Sequence, residues 1–256
     1  MPKVKNFNCF EIKNETPTTA DLYFYGDIVS DWWGAWQEED QYPEAIKNFL
    51  SGQQGKALNI YINSGGGSVF AGIAIYNMIR RFAETSDVQV YVDGLAGSIA
   101  SVIAFAGNKP PKIPANAFLM IHNPWALIEG NSADLRKMAD DLDVITGGIL
   151  NVYMEHVKEG VTEDQIRALM DAESWLNGAD AAEYFDVETT GSVAEIAAAA
   201  GGYVARSRNM PKDLVVRKTT AAAKEKSDNQ DARSAELIQN SKKRDEIVRI
   251  IINSNL

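Results

Sequence analysis

Twice in succession the chain runs from an apolar strand pattern through glycine straight into a helix pattern, and this repetition limits the available folds more than any other feature. ALNIYIN, from Ala57 to Asn63, reads as a buried strand, and Gly65, Gly66 and Gly67 break it sharply. Ser68 suits the N-cap of a helix that continues through Arg81. VQVYVDG repeats the strand from Val88, and SIASVIAFAG opens the next helix at or just after Gly97. Two such units imply βαβ crossovers and place the chain in the α/β class.

The other elements fit around this pair. DLYFYGDIV, residues 21–29, alternates as a strand does, and a helix from about Pro43 to Leu50 follows with proline at its first position. KIPANAFLMIH, Lys112 to His122, is a third strand-like run. After the loop NPWALIEGN, a long helix is expected from Ser132 to Val157, with Leu135, Met138, Leu142, Ile145, Ile149 and Val152 at helical spacing. Shorter helices are expected after the N-cap Thr162 and over Ala179–Tyr184. Beyond Thr190 the chain turns to alanine, lysine, asparagine and glutamine, which gives a body over 1–190 and a linker with a partly helical or disordered tail over 191–256.

Charge separates the same two segments. The net charge of -10 conceals 12 Lys+Arg against 7 Asp+Glu from Arg206 onward, leaving 13 against 28 in residues 1–205. An acidic body argues against nucleic-acid binding as the main role, while the basic tail leaves room for an anionic partner. One cysteine, Cys9, excludes disulfide stapling and points to a reducing, cytoplasmic setting. With only two histidines beside it, a Cys/His zinc cluster is nearly excluded. The longest charge-free apolar stretch, Gly94–Gly107, is too short and glycine-rich to span a bilayer, and the first residues lack the apolar core of a signal peptide.

Three features can carry chemistry. The turn INSGGGSV leaves backbone N–H groups aimed at one point, suiting an anion or oxyanion, and equally it can be a tight turn whose glycines serve geometry alone. No GKS or GKT follows it, so it is not a P-loop. Ser98, at the second strand-to-helix handover, is either a helix N-cap or a nucleophile with the Ile99 amide beside it. Ala96 and Ala100 break the G-x-S-x-G elbow and disfavour an α/β-hydrolase. His122, at the end of a strand, is the better of two histidine bases, because His156 reads as a solvated residue at a helix C-terminus. Asp171 and Glu173 both stand where a carboxylate could orient the imidazole, and either could equally be surface charge.

INSGGGSVFAGIAIYNMIRRF, YVDGLAGSIASVIAFAGN, PANAFLMIHNPW and MDAESWLNGADAAEYF, in this order, resemble the Clp-type serine peptidases, and most of all the ClpP-like head maturation (prohead) proteases of tailed phages. The resemblance covers roughly Leu22 to Val187. It implies a crotonase-like, ClpP-type spiral of ββα units with a protruding handle helix, here Ser132–Val157. By position, Ser98 matches the nucleophile, His122 the general base, and Gly67 and Ile99 the oxyanion-hole amides. The acid falls on Glu173, with Asp171 in reserve, although cellular Clp enzymes have aspartate there. Gly65 replaces their usual proline, and Gly97 the alanine common before the nucleophile.

The implied activity is a serine endopeptidase needing no metal or organic cofactor. It would process capsid, portal or scaffold proteins during head maturation, and would act as a homo-oligomeric ring, heptameric or stacked. An ATPase unfoldase partner would have to supply any ATP dependence. The rival readings are an inactive, protease-like shell component and an acyl-CoA enzyme of the same spiral fold, which would need no serine–histidine pair. Asp31-Trp32-Trp33-Gly34-Ala35-Trp36 is too apolar for a bare loop; it suits a subunit interface or the lining of a substrate route, and the interface is favoured. The tail is a disordered extension, a self-cleaved arm or a docking segment.

Overall fold

The structure is a computed structural model, and it describes residues 16–31 and 40–191. Trp32, Trp33 and Trp36, Cys9 and the tail beyond Gly191 lie outside the described residues.

Strand β1 (Thr19–Phe24) leads to helix α1 (Pro43–Gly52), whose Ala45, Ile46, Phe49 and Leu50 are buried on one face. The two strand–glycine–helix units follow as β2 (Ala57–Ser64) with α2 (Val69–Ala83), and β3 (Val88–Gly97) with α3 (Ile99–Ala104). Ser68 caps α2 as its sequence suggests, accepting from the Ala71 N–H. β1, β2 and β3 pair in parallel, the arrangement that the crossovers demand.

β2 is not buried throughout, contrary to expectation, and β3 shares its alternating pattern. Leu58, Ile60, Ile62, Val88, Val90 and Val92 face the helices with almost no exposure. Between them, in register, Tyr23, Tyr61 and Tyr91 stack across the opposite face at centroid spacings of 4.8 and 5.1 Å. An aromatic ladder that is half covered by its own neighbours looks, in sequence alone, like a run buried on both sides.

The run Lys112–His122 is two strands. Ala117 N–H donates to Pro114 O at 3.0 Å, closing a turn between β4 (Lys112–Pro114) and β5 (Phe118–Ile121). The long helix α4 covers Ser132–Met154, three residues short of Val157, and starts in a full capping box built by Asn131 and Asp134. Its N-terminal part is largely exposed, with Leu135 at 47% and Val144 at 76%, while Ile149, Leu150 and Tyr153 enter the core. Only the last turns of the expected apolar stripe pack on the body. Helix α5 (Glu163–Asp171), strand β6 (Ser174–Asn177), helix α6 (Gly178–Tyr184) and strand β7 (Glu188–Thr190) complete the described body.

β5 pairs parallel with the last residues of β3, while β6 runs antiparallel to β5 and is the sheet's single reversal among the described residues. No described helix is long and apolar enough to cross a membrane.

Candidate active site

Sheet register explains why residues far apart in sequence meet. Leu95, Ala96 and Gly97 lie beside Phe118, Leu119 and Met120, so the positions just past the ends of β3 and β5, Ser98 and His122, adjoin. Ile121 pairs with Ser174, so the residue before β6, Glu173, comes to the same place from the opposite direction. Ser64 pairs with Ala96 after a register shift, which brings the glycine turn alongside. The C-terminal ends of three parallel strands therefore converge where α/β sheets commonly place their reactive groups.

Of the two sequence readings of Ser98, the helix cap is not made. The serine stands at the N-cap position of α3, yet its side chain makes no capping hydrogen bond. Its Oγ instead meets His122 Nε2 at 2.7 Å. The backbone has φ 52° and ψ -128°, a conformation that L residues avoid and that surrounding structure must hold. Ser98 N–H supplies one hold by donating to Met120 O at 2.8 Å.

His122 is partly buried, and burial pushes its pKa below the ordinary histidine value, with the nearby Glu173 charge working in the opposite direction. The imidazole is thus kept neutral, the state in which Nε2 can accept a proton. Glu173 has a positive φ of 51°. Asp171 is exposed and accepts from Asn123 Nδ2 at 2.7 Å, so the structure places the two carboxylates differently: Glu173 acts on the histidine, and Asp171 on its chain neighbour.

At the glycine turn, Ile28 N–H donates to Gly66 O at 2.9 Å and Ser68 N–H donates to Ile28 O at 2.7 Å. In such a parallel bridge the intervening Gly67 turns its own N–H away from Ile28. Gly66 has a φ of +94°, and a Cβ built there would meet Gly97 O, Ser98 Cβ and Ile99 N at 2.6, 2.7 and 3.0 Å. Gly66 was not among the sequence candidates, but its lack of a side chain lets the turn close upon Ser98.

His156 requires a correction. The residue expected to be solvated stacks on Phe105, with centroids 5.0 Å apart and planes at 18°, and its Nε2 lies 3.4 Å from Tyr76 Oη. It follows the end of α4 and turns into the body, and burial lowers its pKa with help from Arg80. A cavity of about 330 Å³ is lined by Asn123, the residue after His122, together with Pro124, Leu142, Thr146, Arg167 and Asp171. Among the described residues, no group of three His, Cys, Asp or Glu side chains could hold a metal ion.

The sequence profile of the Clp proteases matches residues 46–189, more than half of the chain and all of this site. The chain belongs to the Clp protease family. Its mostly parallel α/β body is that family's fold. Similar curated proteins include an ATP-dependent Clp protease proteolytic subunit of Bacteroides fragilis, 33% identical over 132 residues, which are 51% of this chain and 61% of the relative. The ATP-dependent Clp protease proteolytic subunit 2 of Rhodococcus jostii is 36% identical over 146 residues, 57% and 71% of the two chains. Subunit 3 of Streptomyces coelicolor is 35% identical over 129 residues, 50% and 57%. The chain thus spans about six tenths of the length of Clp subunits such as the Bacteroides protein.

Proposed function

We propose that this chain is a serine endopeptidase. The observation that carries the reading is the 2.7 Å approach of Ser98 Oγ to His122 Nε2 by a serine whose side chain declines the helix cap it is placed to make. His122 takes the Ser98 proton as Oγ attacks a peptide carbonyl carbon. The C–N bond then breaks as the imidazolium returns that proton to the leaving amine, and water, activated by the same histidine, hydrolyses the acyl-enzyme. The N–H groups of Gly67 and Ile99 receive the oxyanion, one such donor being worth about 3 kcal/mol in other serine proteases. Glu173 holds the imidazole tautomer that carries its proton on Nδ1. The test is labelling of the full chain with a fluorophosphonate: a single adduct on Ser98 is expected, and an unlabelled Ser98 refutes the reading.

The acid is separable by pH. Replacing Glu173 by glutamine removes the charge that raises the His122 pKa, so the acidic limb of the kcat/KM profile moves to lower pH. The same change lowers kcat by about 10²–10⁴ through loss of the correct tautomer. Asp171→Asn should leave the limb in place and change kcat by less than about threefold, because its contact is with Asn123. A pH–rate series on both variants checks the assignment.

The substrates we propose are capsid, portal or scaffold proteins cleaved during phage head maturation, in a homo-oligomeric ring acting in the cytoplasm or inside an assembling shell. Support comes from the four ordered motifs and from the basic surplus after Arg206, which suits docking on an acidic assembly. The relatives named as ATP-dependent proteolytic subunits support a second partner class, an ATPase that delivers unfolded chains. Co-expression with a scaffold protein separates the two: processing without any ATPase supports the first class, and strict dependence on one supports the second.

A further inference from the structure

Beneath the nucleophile lies a pair of buried hydroxyls that the proposed chemistry does not use. Ser101 is fully buried and Tyr153, in the last turn of α4, is 1% exposed. Their oxygens are 2.7 Å apart. Ser101 Oγ also hydrogen-bonds Ser98 O, and Ser101 N–H donates to that same carbonyl at 2.9 Å. A carbonyl can only accept, so the single Ser101 hydroxyl proton goes to Ser98 O and the Tyr153 phenol donates to Ser101 Oγ. The Tyr153 ring is itself held edge-on to Phe105 at 6.3 Å and tilted against Phe185 at 5.9 Å.

The carbonyl of Ser98 and the N–H of Ile99 belong to one rigid peptide plane. Whatever fixes the first therefore aims the second. Ser98 sits at a φ of 52°, so this plane is held against local preference, and the Met120 bond secures only the preceding peptide. We propose that Tyr153 and Ser101 form a positioning relay that sets the peptide plane between Ser98 and Ile99, holding the Ile99 N–H on the developing oxyanion and Ser98 Oγ on His122. Neither residue touches substrate. The inference rests on the serine endopeptidase reading and adds to it a link from α4 to the rate of acylation.

The test uses the full chain with Tyr153→Phe, Ser101→Ala and the two combined, followed by fluorophosphonate labelling of Ser98, peptide hydrolysis and thermal unfolding. Each single variant should slow labelling and lower kcat about tenfold with KM little changed, as expected when reacting groups are slightly misplaced. Ser101→Ala should also lose a few degrees of thermal stability, because the buried Tyr153 hydroxyl is left without a partner, whereas in Tyr153→Phe the Ser101 hydroxyl still donates to Ser98 O. The double variant discriminates. Removing both hydroxyls leaves no orphan, so stability should return towards wild type while labelling stays slow. Recovery of labelling together with stability, or single variants that label at the wild-type rate, overturns the relay alone. A wild type that labels nowhere, or at a residue other than Ser98, overturns the endopeptidase reading and the relay with it.

Discussion

Ser98→Ala should lower kcat for a peptide substrate by about 10⁴–10⁶, or about 5–8 kcal/mol of transition-state stabilisation, while KM stays close to wild type. The size follows from the loss of a covalent route: without Oγ the acyl-enzyme cannot form, and only water attack aided by the Gly67 and Ile99 amides remains. The fold should survive. Ser98 is only half-buried, its side chain does not cap α3, and the hydrogen bond lost is the one to His122. An unfolding midpoint within a few degrees of wild type, measured beside the rate, separates loss of chemistry from loss of structure. His122→Ala should cost as much, and the double variant no more than either alone, because the two side chains act as one unit. A Ser98→Ala chain that hydrolyses peptides at the wild-type rate would refute the mechanism.

Gly67→Ala should have the largest effect on the fold. A Cβ at position 67 would lie 2.0 Å from Ile28 O and 2.9 Å from Ile28 C, in backbone that cannot yield without breaking the bonds from Ile28 N–H to Gly66 O and from Ser68 N–H to Ile28 O. The φ of +149° adds strain of its own. A loss of at least about 3 kcal/mol is expected, since clash and backbone strain combine. For a domain of this size that lowers the unfolding midpoint by roughly 6–12 °C. Gly52→Ala is the matched control: nothing lies within 4 Å of a Cβ there and φ is not positive, so its stability should be unchanged or slightly raised. Thermal unfolding of the pair decides whether the turn is geometrically obligatory, and equal midpoints would refute that view.

The sequence signals that held were local ones. Ser68 caps α2, Pro43 begins α1, and the two glycine-ended strands lie parallel, because N-caps, proline geometry and crossover handedness act within a few residues or constrain every βαβ unit alike. Ser98, His122 and Glu173 could be nominated by their place in the four motifs, but what brings Glu173 towards His122 is the pairing of β6 with β5. That four-residue strand was not visible as one. β7, three residues long, escaped for the same reason. His156 was misjudged since its stacking on Phe105 joins residues whose proximity no helical spacing encodes. The contact of Ser101 with Tyr153 spans 52 residues, and nothing near either residue announces it.

The direction of β6 has a consequence for how activity is lost. Ser98 and His122 follow strands locked into the sheet interior by β3, whereas Glu173 is carried by a strand bonded only to β5. Edge segments open at lower free energy than the global transition. On mild heating, β6 can detach while the core around Ile60 and Val90 stays closed. The chain would then exist, below its melting point, as a folded body with Ser98 and His122 paired and Glu173 displaced. On the proposed chemistry, activity would then be lost before the fold and would return on cooling.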